Sequence, residues 1–207
     1  MKLVWTVAAL LVGVVVAGGA TAFVYLLTTG LNARPQPGAL ETLVARTTRN
    51  IVIGWHGRSH RNPVPTSDEA IADGRAHFAD HCASCHANDG SGDAEMGRGL
   101  YPKAPDMRLP ATQNLSDGEL FYIIENGIRL TGMPAWGTDT PEGEQASWRL
   151  VHFIRHLPQI TPEEIEEMEA MNPRSPEEIR QEIEAERFLQ GGDPEPAVPR
   201  HEGGGHD

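Results

Sequence analysis

The sequence predicts a mainly α protein: a single N-terminal transmembrane helix, then a small helical domain with long connecting loops. Three observations carry this expectation. Leu3 to Leu27 form one uncharged, apolar run. Between residues 67 and 158, three segments show helical apolar spacing, with capping signals at their starts. The stretch between the first two, NDGSGDAEMGRGLYPKAPDMRLP, is rich in Gly and Pro and has no period. A loop of that kind needs something to wrap around.

The run Leu3–Leu27 can cross a hydrocarbon core of ~30 Å at ~1.5 Å per residue. Ala20-Thr21-Ala22 resembles a signal-peptidase site, but the run continues to Leu27 and exceeds the ~7–15 residues of a signal peptide's apolar region. An uncleaved anchor over residues 1–30 is therefore expected, held in lipid by residues 3–27. Arg34, Arg46 and Arg49 follow the span. By charge alone they would draw that side inward.

Residues 31–66 read as a connector. NARPQPGA is a stiff, Pro-rich exit. Leu40, Leu43, Val44 and Thr47 then fall at i, i+3, i+4 and i+7, the pattern of a short amphipathic helix able to lie on headgroups or on a partner. The core domain is expected over 67–158. Its first helix runs from a cap at Ser67 or Asp68 towards Cys82. Its second starts at the capping box Ser116-x-x-Glu119 and presents Leu120, Ile123 and Ile124. Its third starts at Thr140-Pro141, buries Leu150, Val151, Phe153, Ile154 and Leu157, and stops at Pro158. Residues 159–190 read as an acidic extension of two short helices, opened by Thr161-Pro162 and Ser175-Pro176. Its apolar residues look too few for a core. Residues 191–207, Pro/Gly-rich, are expected to be disordered.

The chain has 207 residues and a net charge of −12. That balance argues against a nucleic-acid partner, because phosphate contacts need Lys and Arg. No period of a repeat array recurs along the chain.

Both cysteines lie in HCASCHANDG, as Cys82 and Cys85 with His86 directly after. A C-x-x-C pair can be a redox dithiol, half of a zinc site or the attachment point of a c-type haem. Zinc needs two further ligands at regular spacing, and no second pair exists. A thioredoxin-like dithiol needs a βαβ setting, which is missing. A disulfide across so short a loop stabilises little. Haem attachment uses all three residues: two thiols bond the two vinyl groups, and His86 ligates the iron through Nε2. Covalent haem attachment in bacteria takes place outside the cytoplasmic membrane. That overrides the arginine signal and places the haem domain in the periplasm, on a single-pass protein of the bacterial cytoplasmic membrane.

CASCH, then GMPAWG at 132–137, then an aromatic-bearing last helix make residues 68–158 resemble a class I, mono-haem c-type cytochrome of the membrane-anchored bacterial type. The resemblance implies a cytochrome c-like, haem-wrapping helical fold holding one haem c through Cys82 and Cys85. It implies that the first and last helices cross closely, with Gly74 and Phe78 on one and Phe153 on the other. It implies a second axial ligand, usually Met in a Gly-Met-Pro turn, which points to Met133, with Met107 as the other candidate. It also implies that a proline carbonyl orients His86, and both Pro102 and Pro105 qualify. Tyr122 and Trp136, with Leu100, Leu120, Ile123 and Phe153, are expected to line the haem pocket.

With His86 and Met133 ligating, the expected function is electron transfer between Fe(II) and Fe(III). The protein would serve as a carrier, or as the cytochrome subunit of a respiratory or photosynthetic-type complex, acting on redox partner proteins rather than as an enzyme. The alternative is a haem peroxidase or gas sensor with an open axial site. His77, His81, His152 and His156 read as surface or half-buried residues. His201 and His206, with Glu202 and Asp207, could gather a weakly held copper or zinc ion.

Overall fold

An uncharged apolar run without proline satisfies its backbone polar groups as a helix, and only as a helix where water is absent. In the computed structural model, which describes residues 2–30 and 32–191, helix α1 spans Lys2–Thr29 and is long and apolar enough to cross a membrane. The hydroxyls of Thr6, Thr21 and Thr28 donate back to the carbonyls of Lys2, Ala17 and Val24. They therefore present no free polar group to an apolar solvent.

Every other described element is also helical. Helix α2 is Ala39–Gly57, longer than the short connector helix expected. Helix α3 (Asp68–His77) starts at Ser67, whose hydroxyl accepts the Ala70 N–H, and this settles the Ser67/Asp68 choice. It continues through a wide π turn at Phe78–Cys82 into α4 (Ala83–His86). Two short helices, α5 (Glu95–Gly99) and α6 (Pro110–Gln113), lie in the Gly/Pro loop. Helix α7 (Asp117–Asn126) starts at the expected Ser116/Glu119 capping box. Helix α8 (Pro141–His156) starts at Thr140 and passes into a 3-10 turn at Leu157–Gln159. Helices α9 (Pro162–Glu169) and α10 (Pro176–Leu189) each start with a capping box, Thr161/Glu164 and Ser175/Glu178.

The core forms where α3 crosses α8. A Cβ added at Gly74 would stand 2.2 Å from the Arg149 carbonyl oxygen and 3.0 Å from Phe153 Cβ, so only glycine lets the two backbones meet. One turn on, the Phe78 and Phe153 rings lie 5.1 Å apart, and neither is exposed to solvent. Phe121 and Trp148 stack at 4.0 Å between α7 and α8. Arg155 of α8 bonds Asp117 of α7 (2.8 Å) and the Gln113 carbonyl of α6 (2.7 Å).

Two boundaries differ from those the sequence suggests. The connector is not a loose leash: Ile53 and Gly57 of α2 are buried, and a Cβ at Gly57 would meet Glu119 Cα at 2.7 Å. The Asn62 side chain then donates to the Trp148 carbonyl, and His152, expected near the surface, is buried with Nε2 2.9 Å from the Val64 carbonyl. At the other end, the packed unit does not stop at Pro158. Met168 of α9 is fully buried in the core, and Ile160 packs against that core. Glu164 pairs with Arg75 of α3 (3.0 Å) and with His156 of α8 (2.9 Å). A few well-placed apolar residues joined to a half-buried charge cluster suffice to dock a short helix. Helix α10 stays outside, with Ile179, Ile183, Phe188 and Leu189 exposed. His201, Glu202, His206 and Asp207, and all of the expected disordered tail but Gly191, lie outside the described residues.

Gly74→Ala is expected to lower unfolding free energy by about 1–3 kcal/mol or more, since the added methyl meets backbone rather than a movable side chain. Urea unfolding followed by far-UV circular dichroism checks it, and an unchanged midpoint would show that α3 and α8 are not in close contact. Glu164 gives a pH-dependent term. Burial pushes its carboxyl up, but hydrogen bonds from His156 and the Thr161 N–H, with the charges of His156 and Arg75, outweigh burial and hold it below the usual glutamate value. A depressed folded pKa stabilises above the unfolded value of ~4.3 and loses that contribution as pH falls through the folded value. Glu164→Gln should therefore be less stable than wild type at neutral pH. The two unfolding curves should converge in strong acid, and a constant gap across pH would contradict this.

Candidate functional site

The site starts at the π turn. Phe78 and Ala79 are both fully buried, and Ala83, five residues on from Phe78, is buried. Apolar residues at i, i+1 and i+5 do not share one face of a regular α-helix. Widening the turn, with the Ala83 N–H bonded to the Phe78 carbonyl, puts them on one side. The sequence suggested a plain helix here, because a single wide turn leaves no periodic signal.

Cys82 and Cys85 emerge from this turn as free, half-buried thiols. Burial, and then Cys85, pushes the Cys82 thiol up to about 12. Redox dithiols show the opposite, a stabilised thiolate. His86 ends α4, its ring 6.4 Å from Phe78. Ala87 then takes φ 58° and ψ 157°, a region normally left to glycine that costs about 1–3 kcal/mol. It is held there by its N–H to Ala83 (2.8 Å) and by the Gly90 N–H on its carbonyl (3.0 Å). The reversal sends the chain back along the motif. The Gly92 N–H donates to the His86 carbonyl at 2.8 Å, and Gly97 sits so close to the Cys85 carbonyl that an added Cβ would stand 2.0 Å from it.

The Nδ1 of His86 is buried and closes no full hydrogen bond. The Pro105 carbonyl lies beside the imidazole. Burial pulls the imidazole pKa down, and this carbonyl pulls it partly back up. Of the two candidate prolines, Pro105 is thus the one beside His86. Pro102 is exposed, next to Tyr101, whose hydroxyl donates to Glu41 of α2 at 2.6 Å.

Arg108 fixes the Pro105 segment, and sequence reasoning missed it. Its guanidinium holds Asp106 through two bonds of 2.9 and 2.8 Å and reaches Asp89 Oδ2 at 2.9 Å. The Met107 N–H donates to the Gly90 carbonyl at 2.8 Å. The segment 105–108 is thereby pinned to the turn that follows His86. The Arg108 hydrogen bonds hold the Asp106 carboxyl below its usual range. The available signal was the Asp-x-Arg pair in PDMR, with Asp89 upstream in the same loop.

Met107 itself is buried in the core cluster. Met133 is half-buried in a tight turn: its N–H donates to Thr131 Oγ1 and its carbonyl accepts the Ile128 N–H. Gly132 rests on Leu100, where an added Cβ would stand 2.5 Å from Cδ2. The Trp136 ring meets His81 edge-on at 5.2 Å, one residue before Cys82. The Met133 turn is therefore braced against the Gly/Pro loop on one side and against the cysteine motif on the other. An open cleft of about 640 Å3 lies between Ser84, Glu95, Met96, Gly99 and Leu100. Tyr122 is not drawn into this group; it stacks on His56 of α2 at 5.3 Å. Among the described residues, no group of three or more His, Cys, Asp and Glu side chains is placed to hold a metal ion, so the cysteine pair has no partners for a protein-only zinc site.

Residues 69–154 match the family model for cytochrome c oxidase, cbb3-type, subunit III. This part of the chain is similar to a cytochrome c domain. No curated protein matches the chain. A cytochrome c domain implies haem c and haem-based electron transfer. The residues present fit that group: two unbridged thiols three positions apart, followed by an imidazole with a buried, unpartnered Nδ1. The matched segment runs from α3 to the end of α8 and leaves α1, α2, α9 and α10 outside it.

Proposed function

We propose that the protein is a membrane-tethered periplasmic electron carrier, or the cytochrome subunit of a respiratory complex, with one haem c. The observation that carries the site assignment is His86 directly after two unbridged thiols, its Nδ1 buried and the Pro105 carbonyl beside its ring. A carbonyl there makes Nδ1 the protonated nitrogen and leaves the Nε2 lone pair free to ligate. When bound, the haem supplies a one-electron Fe(II)/Fe(III) couple.

The chain's own residues do the rest. Cys82 and Cys85 hold the group by thioether bonds. His86 Nε2 and Met133 Sδ would hold the iron, which favours outer-sphere transfer over a peroxidase. The Met133 thioether favours ferrous iron. Arg108, clamped on Asp89 and Asp106, keeps the Pro105 carbonyl in place behind His86. The fully buried Phe78 and Phe153 keep water from the core beside His86. Trp136, held on His81, closes the Met133 side. Helix α1 stays as the anchor, and residues after it lie in the periplasm, where haem is attached.

Two experiments test this. Acidified-solvent extraction of denatured protein should leave the haem on the polypeptide, and release into the solvent would end the thioether assignment. Met133→His should keep a low-spin haem and lower its reduction potential, because imidazole supports ferric iron better than a thioether does. Met107→Leu, a near volume-conserving change in the core, should leave the potential unchanged. The opposite pattern would move the ligand to Met107.

A further inference from the structure

Helix α2 has two faces, and only one is used inside the protein. Ile53 and Gly57 pack on α7. Leu40, Leu43, Val44, Ile51 and Trp55 fall on a second stripe at i, i+3, i+4, i+11 and i+15, with Thr47 filling the gap at i+7. That stripe points away from the domain: Leu40 is 74% exposed, Ile51 67% and Trp55 84%. Single exposed apolar residues are ordinary, but a continuous stripe along a helix marks a contact surface.

Three further observations say what covers it. Thr29 ends α1 and Ala39 starts α2, so the segment 30–38 joins them. Even fully extended it reaches only about 30 Å, so α2 cannot leave the neighbourhood of the bilayer that α1 spans. The charge of this region is also opposite to that of the chain. Residues 31–66 hold Arg34, Arg46, Arg49, Arg58 and Arg61 against Glu41 alone, in a protein of net charge −12. Among the described residues Arg46 and Arg49 form no ion pair; Arg49 bonds the Asn50 amide oxygen. Burial, and then Arg46, holds the Arg49 pKa below its ordinary value. Lastly, the Tyr101 phenol, bonded to Glu41 near the start of α2, lies within Coulombic reach of Tyr25 on α1. The end of the span, the start of α2 and one loop of the haem domain therefore lie together.

We infer that the Leu40–Trp55 stripe of α2 lies on the anionic phospholipid surface around α1, with Trp55 and the aliphatic residues among the upper acyl chains and the arginines among the phosphates. The inference rests on α1 being a retained anchor. Because α2 is packed on α7, the contact fixes the orientation of the haem domain and not only its distance from the membrane.

Tryptophan quenching in vesicles tests it. The full-length holoprotein is reconstituted in phosphatidylglycerol/phosphatidylcholine vesicles, with and without lipids brominated near the glycerol backbone. The Trp55 signal is the component removed by Trp55→Phe, and the Trp5 signal is that removed by Trp5→Phe. Brominated lipid should remove most of the Trp55 component. Leu43→Glu combined with Ile51→Glu, both on the exposed stripe, should abolish that quenching while the haem spectrum and the Trp5 quenching stay unchanged. A quenched Trp5 beside an unquenched Trp55 would overturn the inference, keep the anchor and assign the stripe to a protein partner or a second copy. Persistent Trp55 quenching in the double variant would also overturn it. If neither tryptophan is quenched, the anchor reading itself fails.

Discussion

The contact between Gly74 and the Arg149 carbonyl is the point on which the rest of the cytochrome domain hangs. Two helices that touch backbone to backbone fix each other's angle and register far more tightly than helices separated by side chains. With α3 and α8 locked there, Phe78 and Phe153 meet one turn further on. The chain after Phe78 must then widen into a π turn to bury Ala79 and Ala83 as well. That widening sets the direction in which Cys82, Cys85 and His86 leave the helix. The geometry of the haem motif is thus inherited from a glycine eight residues before it.

Beyond His86 the problem changes from packing to polar positioning. The Pro105 carbonyl comes beside the His86 ring on a loop that has little regular structure of its own. Three things give that loop one shape. Ala87 reverses the chain at a strained backbone angle, Gly92 and Gly97 let it fold flat against the motif, and Arg108 ties Asp89 to Asp106 across it. Arg108 is partly exposed, so its ion pairs are screened. Its value lies in geometry: one planar guanidinium with two carboxylates leaves few conformations for the segment that carries Pro105.

Much of this was legible in the sequence, for identifiable reasons. Caps are local, so the Ser116/Glu119 box, Thr140 and the Thr161 and Ser175 starts could be read directly, and the first cap was narrowed to Ser67 or Asp68. The crossing of Gly74 and Phe78 with Phe153 followed from the resemblance and is present. Features that depend on distant partners were not legible. Nothing near Pro102 and Pro105 distinguishes them until the loop is folded against His86. Tyr122 has the spacing of a pocket residue, but His56, sixty-six positions earlier in the chain, takes it. The acidic composition of 161–172 concealed that Met168 alone, with Glu164 bridging Arg75 and His156, is enough to dock α9. Composition averages over a segment, whereas docking depends on one or two side chains.

The two ends of the chain extend the same domain in opposite electrical senses. Before α3 lies a basic, apolar-striped helix close to the membrane span, and after α9 lies an acidic helix, α10, whose apolar residues are exposed. A flexible tether would only raise the local concentration of the haem domain near its partners. Here the link is stiffer, because Gly57 sits against Glu119, Arg58 pairs with that same carboxylate at 3.1 Å, and Tyr101 bonds Glu41. Whatever surface α2 rests on therefore sets which face of the domain meets an incoming partner. Electron transfer falls steeply with distance between redox centres, so a fixed presentation selects among partners in a way that proximity alone cannot.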